Sequence, residues 1–177
     1  MKKYEFTGET KQVGFFGNIT LKRIRATMEF GIIKIGDLGG WIEKEENLSH
    51  KGDAWVWGNA EVYGDAEVYG DAEVYGNAEV WGNAKVWGNA KVWGNAEVFS
   101  ISHVQVVGPI GSRNDFTTFF RDKDSEITVK CGCFLGKIDK FLEKVCETHG
   151  DSKYAIVYRT AAEIAKQQID LSEEKQL

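Results

Sequence analysis

The sequence predicts a mainly β fold, in which a repetitive solenoid stands between an N-terminal β cap and a small C-terminal α+β domain. A six-residue unit repeats without interruption from residue 52 to residue 99. Glycine-separated apolar stretches precede it, and the segment after it changes first to the period of strands and then to that of helices. We therefore divide the chain into a cap at 1–51, a solenoid at 52–110 and an α+β domain at 111–177.

Composition and charge narrow the class of protein. Of 177 residues, 42% are hydrophobic and 28% are charged, which is usual for a globular protein. No apolar run reaches the roughly 18 residues of a membrane span, and the N-terminus lacks the apolar segment of a signal peptide, so we expect a cytoplasmic protein without membrane contact. The three cysteines are an odd number, which argues against a disulfide framework. Residues 52–99 hold two basic and eight acidic side chains, so nucleic-acid binding is not expected.

The first 51 residues predict short strands that close one end of the solenoid. The stretches GFFGNITLKRIRA and FGIIKIGD are rich in apolar residues and are interrupted by glycines. GDLGGWIEKEENLS then runs directly into the first repeat. Because an open solenoid end exposes apolar surface and unpaired strand edges, a cap is the expected role of this segment.

The central repeat consists of Gly, Asn or Asp, Ala, a mostly charged residue, Val and an aromatic residue. A glycine in every sixth place disfavours a helix. Ala and Val are two residues apart, so they point to the same side of an extended segment, whereas Gly-Asn and Gly-Asp favour turns. After residue 99, Ser102, Val104, Gly108 and Ile110 still occupy the small and aliphatic places, which extends the predicted solenoid to about residue 110.

Two motifs carry a resemblance to known proteins. The unit V-[WYF]-G-[ND]-A-[EK] resembles the hexapeptide repeat, which implies a left-handed parallel β-helix with three units in each coil. GDLGGWIEKEENLS joined to an aromatic repeat is similar to a group of poorly characterised proteins of bacteriophages and prophages, where it implies a cap. If the chain is encoded by a phage, its compartment is the cytoplasm of the host cell.

Stacking the repeat with a period of 18 residues predicts columns of like side chains. The aromatic columns are Trp57/Tyr75/Trp93, Tyr63/Trp81/Phe99 and Tyr69/Trp87/Gln105. Such rings can simply stiffen the solenoid, but so wide an apolar surface favours an interface with further copies of the chain or with another protein.

The charged residues form columns of their own. Glu67 lies beside Lys85 and Glu73 beside Lys91, which are favourable pairs, whereas Glu61, Glu79 and Glu97 form an acid column with no expected partner in the chain. Such a column is more often a solvated edge than a metal site. We predict no metal site and no cofactor.

The C-terminal segment predicts a hairpin followed by two helices. Phe116–Arg121 and Glu126–Cys133 flank a polar turn, with Cys131 and Cys133 on the buried face. GKIDKFLEKVCETHG has apolar residues at helical spacing, with Cys146 at the inner edge and His149 near the C-terminal end of the dipole. Gly150 ends this helix, and Asp151 or Ser152 caps a second helix.

The candidate binding site is the stretch GPIGSRNDFTTFFR at residues 108–121. A glycine-flanked turn, guanidinium groups and hydroxyls together suit a phosphate or carboxylate. The candidate ligand-binding residues are Ser112, Arg113, Asn114, Thr117, Thr118 and Arg121. The alternative is a polar hairpin whose arginine–aspartate pairs are only structural.

These observations favour a non-catalytic binding protein. We expect an oligomeric scaffold of phage type that sequesters a small anionic ligand, such as a nucleotide signal of bacterial immunity, to counter host defence. One alternative is direct inhibition of a host protein by the acidic and aromatic surface. Another is a hexapeptide-type acyltransferase that uses acyl-CoA, in which His103, expected to face outward, is the base.

Overall fold

The computed structural model of the protein describes residues 2–14 and 16–174, and it confirms the predicted mainly β fold. Phe15, inside one of the predicted strand stretches, lies outside the described residues, as do Met1 and residues 175–177. In the described part of the chain, no helix is both long and apolar enough to cross a membrane.

The centre of the molecule is a parallel β-solenoid built from two-residue strands. Parallel pairing joins residues 18 positions apart, such as Val62 with Val80 and Val80 with Val98. The strands are β4 (Trp55–Val56), β5 (Glu61–Val62), β6 (Glu67–Val68), β7 (Glu73–Val74), β8 (Glu79–Val80), β9 (Lys85–Val86), β10 (Lys91–Val92) and β11 (Glu97–Val98). The alanines and valines of the repeat are all buried, as the two-residue spacing predicts.

The N-terminal cap continues one wall of this solenoid. Strands β1 (Tyr4–Val13), β2 (Ile19–Ala26) and β3 (Leu38–Ile42) pair antiparallel in that order. Strand β3 then pairs parallel with β5, so the sheet runs β1-β2-β3-β5-β8-β11. The backbone hydrogen bonds of the cap therefore continue without a break into the first coil.

The prediction of a strand at FGIIKIGD is wrong, and β1 was not foreseen. The stretch 30–37 is a loop with a single bridge between Phe30 and Ile33. Gly31 and Gly36 have φ of +50° and +90°, which turns the chain twice within six residues. Strand β1 escaped notice because most of its side chains are polar and only partly covered.

The C-terminal part is an antiparallel sheet packed against two helices. Strands β12 (Val104–Ile110), β13 (Asp115–Arg121), β14 (Ile127–Cys131) and β15 (Phe134–Lys137) pair in sequence order. Gly150 is the C-cap of helix α1 (Ile138–His149), and Ser152 is the N-cap of helix α2 (Lys153–Gln168), where its Oγ accepts the N–H of Ala155. The predicted hairpin and both predicted helices are confirmed.

Val104–Ile110, which we placed in the solenoid, differs from the prediction. It pairs antiparallel with β13 rather than parallel with a lower coil, and the last parallel pair in the described residues joins Val98 to Val80. The repeat has Ser100 and Val106 where glycine belongs. Without that glycine turn, a short 3₁₀ turn at Ile101–His103 redirects the chain instead.

Candidate functional site

A cavity of about 480 Å³ lies between the loop that precedes β13, the β14–β15 turn and the two helices. The loop contributes Ser112 and Arg113, both of which the sequence singles out as candidate ligand residues. Helix α1 contributes Lys144, Thr148 and His149. The volume of the cavity falls in the range of small-molecule sites, which is about 300–1,000 Å³.

The loop is held close to α2 by a glycine. Gly111 has φ of +73°, and a Cβ atom at this position would lie 1.9 Å from the hydroxyl oxygen of Tyr158. Only glycine permits this approach. Tyr158 therefore supports the loop from below while its ring lines the cavity.

A second glycine places Arg113 against the β14–β15 turn. Cys131 pairs with Phe134 across this turn, and Gly132, the first of its two central residues, has φ of +56°. A Cβ atom on Gly132 would lie 2.7 Å from Nη1 of Arg113. The guanidinium group thus lies over the bare backbone of the turn, at the rim of the cavity.

Among the described residues, Arg113 is the arginine that has no carboxylate within salt-bridge distance. Four of the five arginines lie within salt-bridge distance of a carboxylate, namely Arg23, Arg25, Arg121 and Arg159. Within the described residues, no carboxylate lies that close to Arg113, although Asp115 also lines the cavity. Its donors are therefore available to a ligand.

Lys144 adds a second cation to this rim. Its Nζ lies 3.1 Å from Glu147, in an exposed pair of the kind that contributes little to stability. His149 also borders the cavity and is half-buried. The charged side chains that line the cavity are thus two cations, Arg113 and Lys144, and one anion, Asp115.

The floor of the cavity consists of aromatic rings. Phe134 and Phe141 have ring centroids 5.5 Å apart, Phe141 and Tyr158 are 5.7 Å apart, and Tyr158 stacks on His149 at 5.6 Å. Phe141 and Tyr158 are buried. Burial, and in second place the neighbouring Cys131, raises the pKa of Tyr158, whose hydroxyl interacts with Cys131 and Ser112.

Two thiols also line the cavity: Cys131 packs against the C-terminal core as predicted, whereas Cys133 differs from the prediction. Cys131 is half-buried, and its Sγ accepts a hydrogen bond from Thr117 Oγ1 at 3.3 Å. Cys133 is exposed, because β14 ends at Cys131 and the turn at Gly132 breaks the alternation. Cys146, which we placed at the inner edge of α1, is also exposed.

The other candidate ligand residues have structural contacts and do not line this cavity. Thr117 and Thr118 are buried, and the N–H of Lys91 donates to Thr118 Oγ1 at 2.9 Å, which closes the top of one solenoid wall. Asn114 is exposed in the loop with φ of +52°. The structure thus brings Ser112 and Arg113 to one cavity and leaves Asn114, Thr117 and Thr118 outside it.

Arg121 lies inside the protein, away from Arg113's rim position. Its Nη1 lies 2.9 Å from Glu97 Oε2, its Nη2 donates to Ser125 Oγ at 2.7 Å, and its guanidinium lies 4.8 Å from the centre of the Phe99 ring. Both charged side chains are only 5% exposed. Arg121 therefore joins the C-terminal sheet to the last coil.

The acid column has partners, contrary to the prediction. Lys11 Nζ of β1 lies 2.6 Å from Glu61, and Arg121 of β13 pairs with Glu97. The two partners come from the segments that cap the solenoid, one at each end of the column. The repeat alone gives no sign of them, because neither partner belongs to it.

Two of the three predicted aromatic ladders form ring contacts among the described residues, and much of their surface is covered. Ring contacts join Trp57 to Tyr75 at 6.2 Å, Tyr75 to Trp93 at 5.2 Å, Tyr63 to Trp81 at 6.0 Å and Trp81 to Phe99 at 4.7 Å. Lys130 covers Trp93 with its Nζ 4.2 Å from the ring centre, and Phe99 is buried. Tyr75 and Trp87 are the ladder rings that stay exposed, at 46% and 53%, whereas Tyr69 is half-buried. The apolar surface is therefore narrower than the repeat suggested, and the interface itself stays a prediction.

His103 is buried, not outward-facing as we expected. It is 0% exposed, its Nδ1 accepts the N–H of Phe99 at 3.3 Å, and its Nε2 lies 3.2 Å from Glu173. The 3₁₀ turn that ends the solenoid rotates the side chain inward. Burial lowers the pKa of His103, although Glu173 acts in the opposite direction.

Most residues of this cavity carry no signal in the sequence. Most of the lining comes from elements that follow the loop, and each residue has an ordinary place in a helix or strand pattern. These residues are Phe134, Lys144, His149 and Tyr158. Only the unusual mixture of glycine, arginine and hydroxyls in the loop gave a signal. Comparisons with known proteins add no further residues: no protein-family model matches the chain, and no curated protein matches it significantly.

Proposed function

We propose that this protein is a non-catalytic binding protein that sequesters a small organic anion in the cavity lined by Ser112 and Arg113. The observation that supports this most directly is the position of Arg113, at the rim of a cavity and without a carboxylate partner among the described residues. Arginine binds phosphate and carboxylate groups with two parallel hydrogen bonds. Lys144 of helix α1 supplies a second positive charge in the lining of the cavity.

Sequestration of a signal is the biological form of this proposal. A nucleotide of bacterial immunity has the charge and the size that such a site accepts, and the resemblance to phage proteins suggests a role against host defence. In this form the solenoid is a rigid support, and the C-terminal sheet and helices bind the ligand.

The first test is a thermal-unfolding screen with phosphates, nucleotides, cyclic dinucleotides and acyl-CoA. A ligand at 100 times its Kd stabilises the native state by about 2.7 kcal/mol, which raises the Tm by several degrees. We expect Arg113→Ala to abolish the shift and Lys144→Ala to reduce it. An unchanged shift in Arg113→Ala contradicts the site, and the absence of any shift favours direct inhibition of a host protein.

Helix α1 offers a matched control for the lysine. Lys140 forms an exposed pair with Glu143 at 2.8 Å, as Lys144 does with Glu147, but it lies one turn earlier and does not line the cavity. Lys140→Ala removes the same charge from the same helix. We expect it to leave ligand binding unchanged.

The cysteines provide a second, independent measurement. Cys133 lines the cavity, whereas Cys146 is also exposed to solvent, on α1, and does not line it. A bound ligand should slow alkylation of Cys133 by iodoacetamide and leave the rate at Cys146 unchanged. Equal protection of both thiols would indicate general stabilisation instead of occupation of the cavity.

A further inference from the structure

We infer that the ligand of this cavity is an aromatic anion, in which a planar ring lies on the floor and a phosphate or carboxylate group lies at the rim. The inference rests on the proposed function and adds the class of ligand to it. It comes from the difference between the polar, charged rim of the cavity and its apolar, aromatic floor.

The rim is polar and open to solvent. Arg113, Ser112 and Lys144 are exposed and line the opening. Charged groups at an exposed rim bind an anion without the large desolvation cost of a buried charge. The anionic part of the ligand is therefore best placed here.

The floor is apolar and ordered by ring contacts. Phe134, Phe141, Tyr158 and His149 form a chain in which successive ring centroids are 5.5, 5.7 and 5.6 Å apart. These distances lie in the range of favourable offset and edge-to-face contacts, about 4.5–7 Å. Phe134 and His149, at the two ends of the chain, are half-buried and border the open volume.

A planar ring fits this floor better than an aliphatic chain does. Each aromatic contact adds about 2- to 10-fold in affinity beyond the burial of its area. Tyr158 and Cys131 also line the cavity, and they place a hydroxyl and a thiol beside the rings. A ring with a hydrogen-bond acceptor on its edge, as in a nucleobase, uses these groups as well as the stacking.

Matched probes separate the ring from the anion. We would measure binding of AMP and 1-naphthyl phosphate, which carry both parts, and of ribose 5-phosphate, adenosine and 1-naphthol, which carry one part each. We expect at least one ring-bearing phosphate to bind ten or more times tighter than ribose 5-phosphate and than its own uncharged counterpart.

Variants in the floor of the cavity test whether the aromatic rings cause this difference in affinity. Phe134→Leu should remove about 5-fold or more of the affinity for the ring-bearing phosphate and leave that for ribose 5-phosphate unchanged. Leu135→Ala is the control, because Leu135 is the next residue of β15 and does not line the cavity. A far-ultraviolet spectrum of each variant checks that it is folded.

The outcomes distinguish this inference from the function on which it rests. If ring-bearing and ringless phosphates bind equally and both depend on Arg113, the anion site stands and the aromatic class is wrong. If none of the probes binds in an Arg113-dependent manner, the proposed function fails together with the inference.

Discussion

At the scale of single residues, the repeat glycines combine a left-handed backbone with close contact to the next coil. Gly82 and Gly88 have nearly the same φ, +62° and +61°. A Cβ atom on Gly82 would lie 2.3 Å from the carbonyl oxygen of Phe99, whereas on Gly88 it would meet no atom within 4 Å. Both positions thus require a left-handed backbone conformation, but only Gly82 is in close contact with a coil above it.

This difference predicts the stability of two variants. Gly88→Ala should cost about 1 kcal/mol of unfolding free energy, because only the left-handed conformation is penalised. Gly82→Ala should cost at least about 2 kcal/mol more, since the coil above must move or lose its hydrogen bonds. Chemical denaturation measures both values. Equal costs would show that the coils tolerate separation at this corner.

Lys3 at the capped end of the solenoid predicts a dependence on pH. Its Nζ donates to the carbonyl of Ala54 at 2.7 Å, and burial lowers its pKa to about 8, against the opposing effect of Asp53 and Asp71. Below pH 8 the lysine is charged in both the folded and the unfolded chain. From about pH 8 to 10.5 the folded protein loses this proton first, so unfolding takes up a proton and stability rises with pH.

The prediction is tested by comparison with Lys3→Met. The unfolding free energy of the native protein should rise relative to that of Lys3→Met between pH 8 and 10.5, and the difference should be constant from pH 6 to 7.5. Measuring a difference removes the titration of the other lysines. A difference that falls with rising pH would mean that the charged form is preferred in the folded state.

At the scale of elements, the sequence predicts those whose pattern is local. The repeat sets its own strands, and α1 and α2 follow from apolar spacing with Gly150 and Ser152 at their boundaries. The stretch 104–110 could not be assigned in this way, because its partner is β13 and not a coil below. Its valines fit a solenoid and an antiparallel strand equally well.

Arg121 shows the same limit for a side chain. Its neighbours in sequence suggested a ligand site, yet it pairs with Glu97 across the junction between β13 and β11. Removing one member of a buried pair costs about 3–5 kcal/mol. We expect Arg121→Met to destabilise the protein by about 3 kcal/mol and to leave ligand affinity unchanged while the protein is folded.

Lys85→Met is the exposed counterpart. Lys85 lies 3.4 Å from Glu67 on the solenoid surface, where such pairs contribute less than about 1 kcal/mol. Thermal and denaturant unfolding compare the two variants, and a ligand titration below the Tm separates stability from binding. Loss of ligand binding by folded Arg121→Met would contradict this expectation and show that Arg121 contributes to the binding site.

At the scale of the whole molecule, the cavity depends on three segments that are distant in sequence. Residues 112–115, 131–134 and 141–158 meet only because the sheet β12-β13-β14-β15 packs on both helices. The first segment has an unusual composition and was predicted, while the others look like an ordinary turn and an ordinary amphipathic helix. A site assembled by packing leaves no spacing pattern that a single sequence reveals.

The exposed ladder rings predict where copies of the chain associate. The chain leaves the solenoid at residues 104–110, where a further ring would stack on Trp87, so Trp87 stays 53% exposed, while Lys130 covers Trp93 of a neighbouring ladder. A large aromatic side chain left open on a rigid wall is the type of residue that dominates the energy of protein interfaces. We therefore expect self-association to centre on Trp87, with Tyr75 in a lesser role.

Light scattering after size-exclusion chromatography tests this expectation. The native protein should show a mass above that of one chain, 19.9 kDa, and Trp87→Lys should reduce it to that value. Ile101→Lys is the control, because Ile101 is also exposed, at 59%, but lies outside the ladders. If the native protein stays monomeric up to about 100 μM, the predicted interface is wrong, and the rings serve to stiffen the solenoid. The cavity would then be the only part of the proposal that requires a partner molecule.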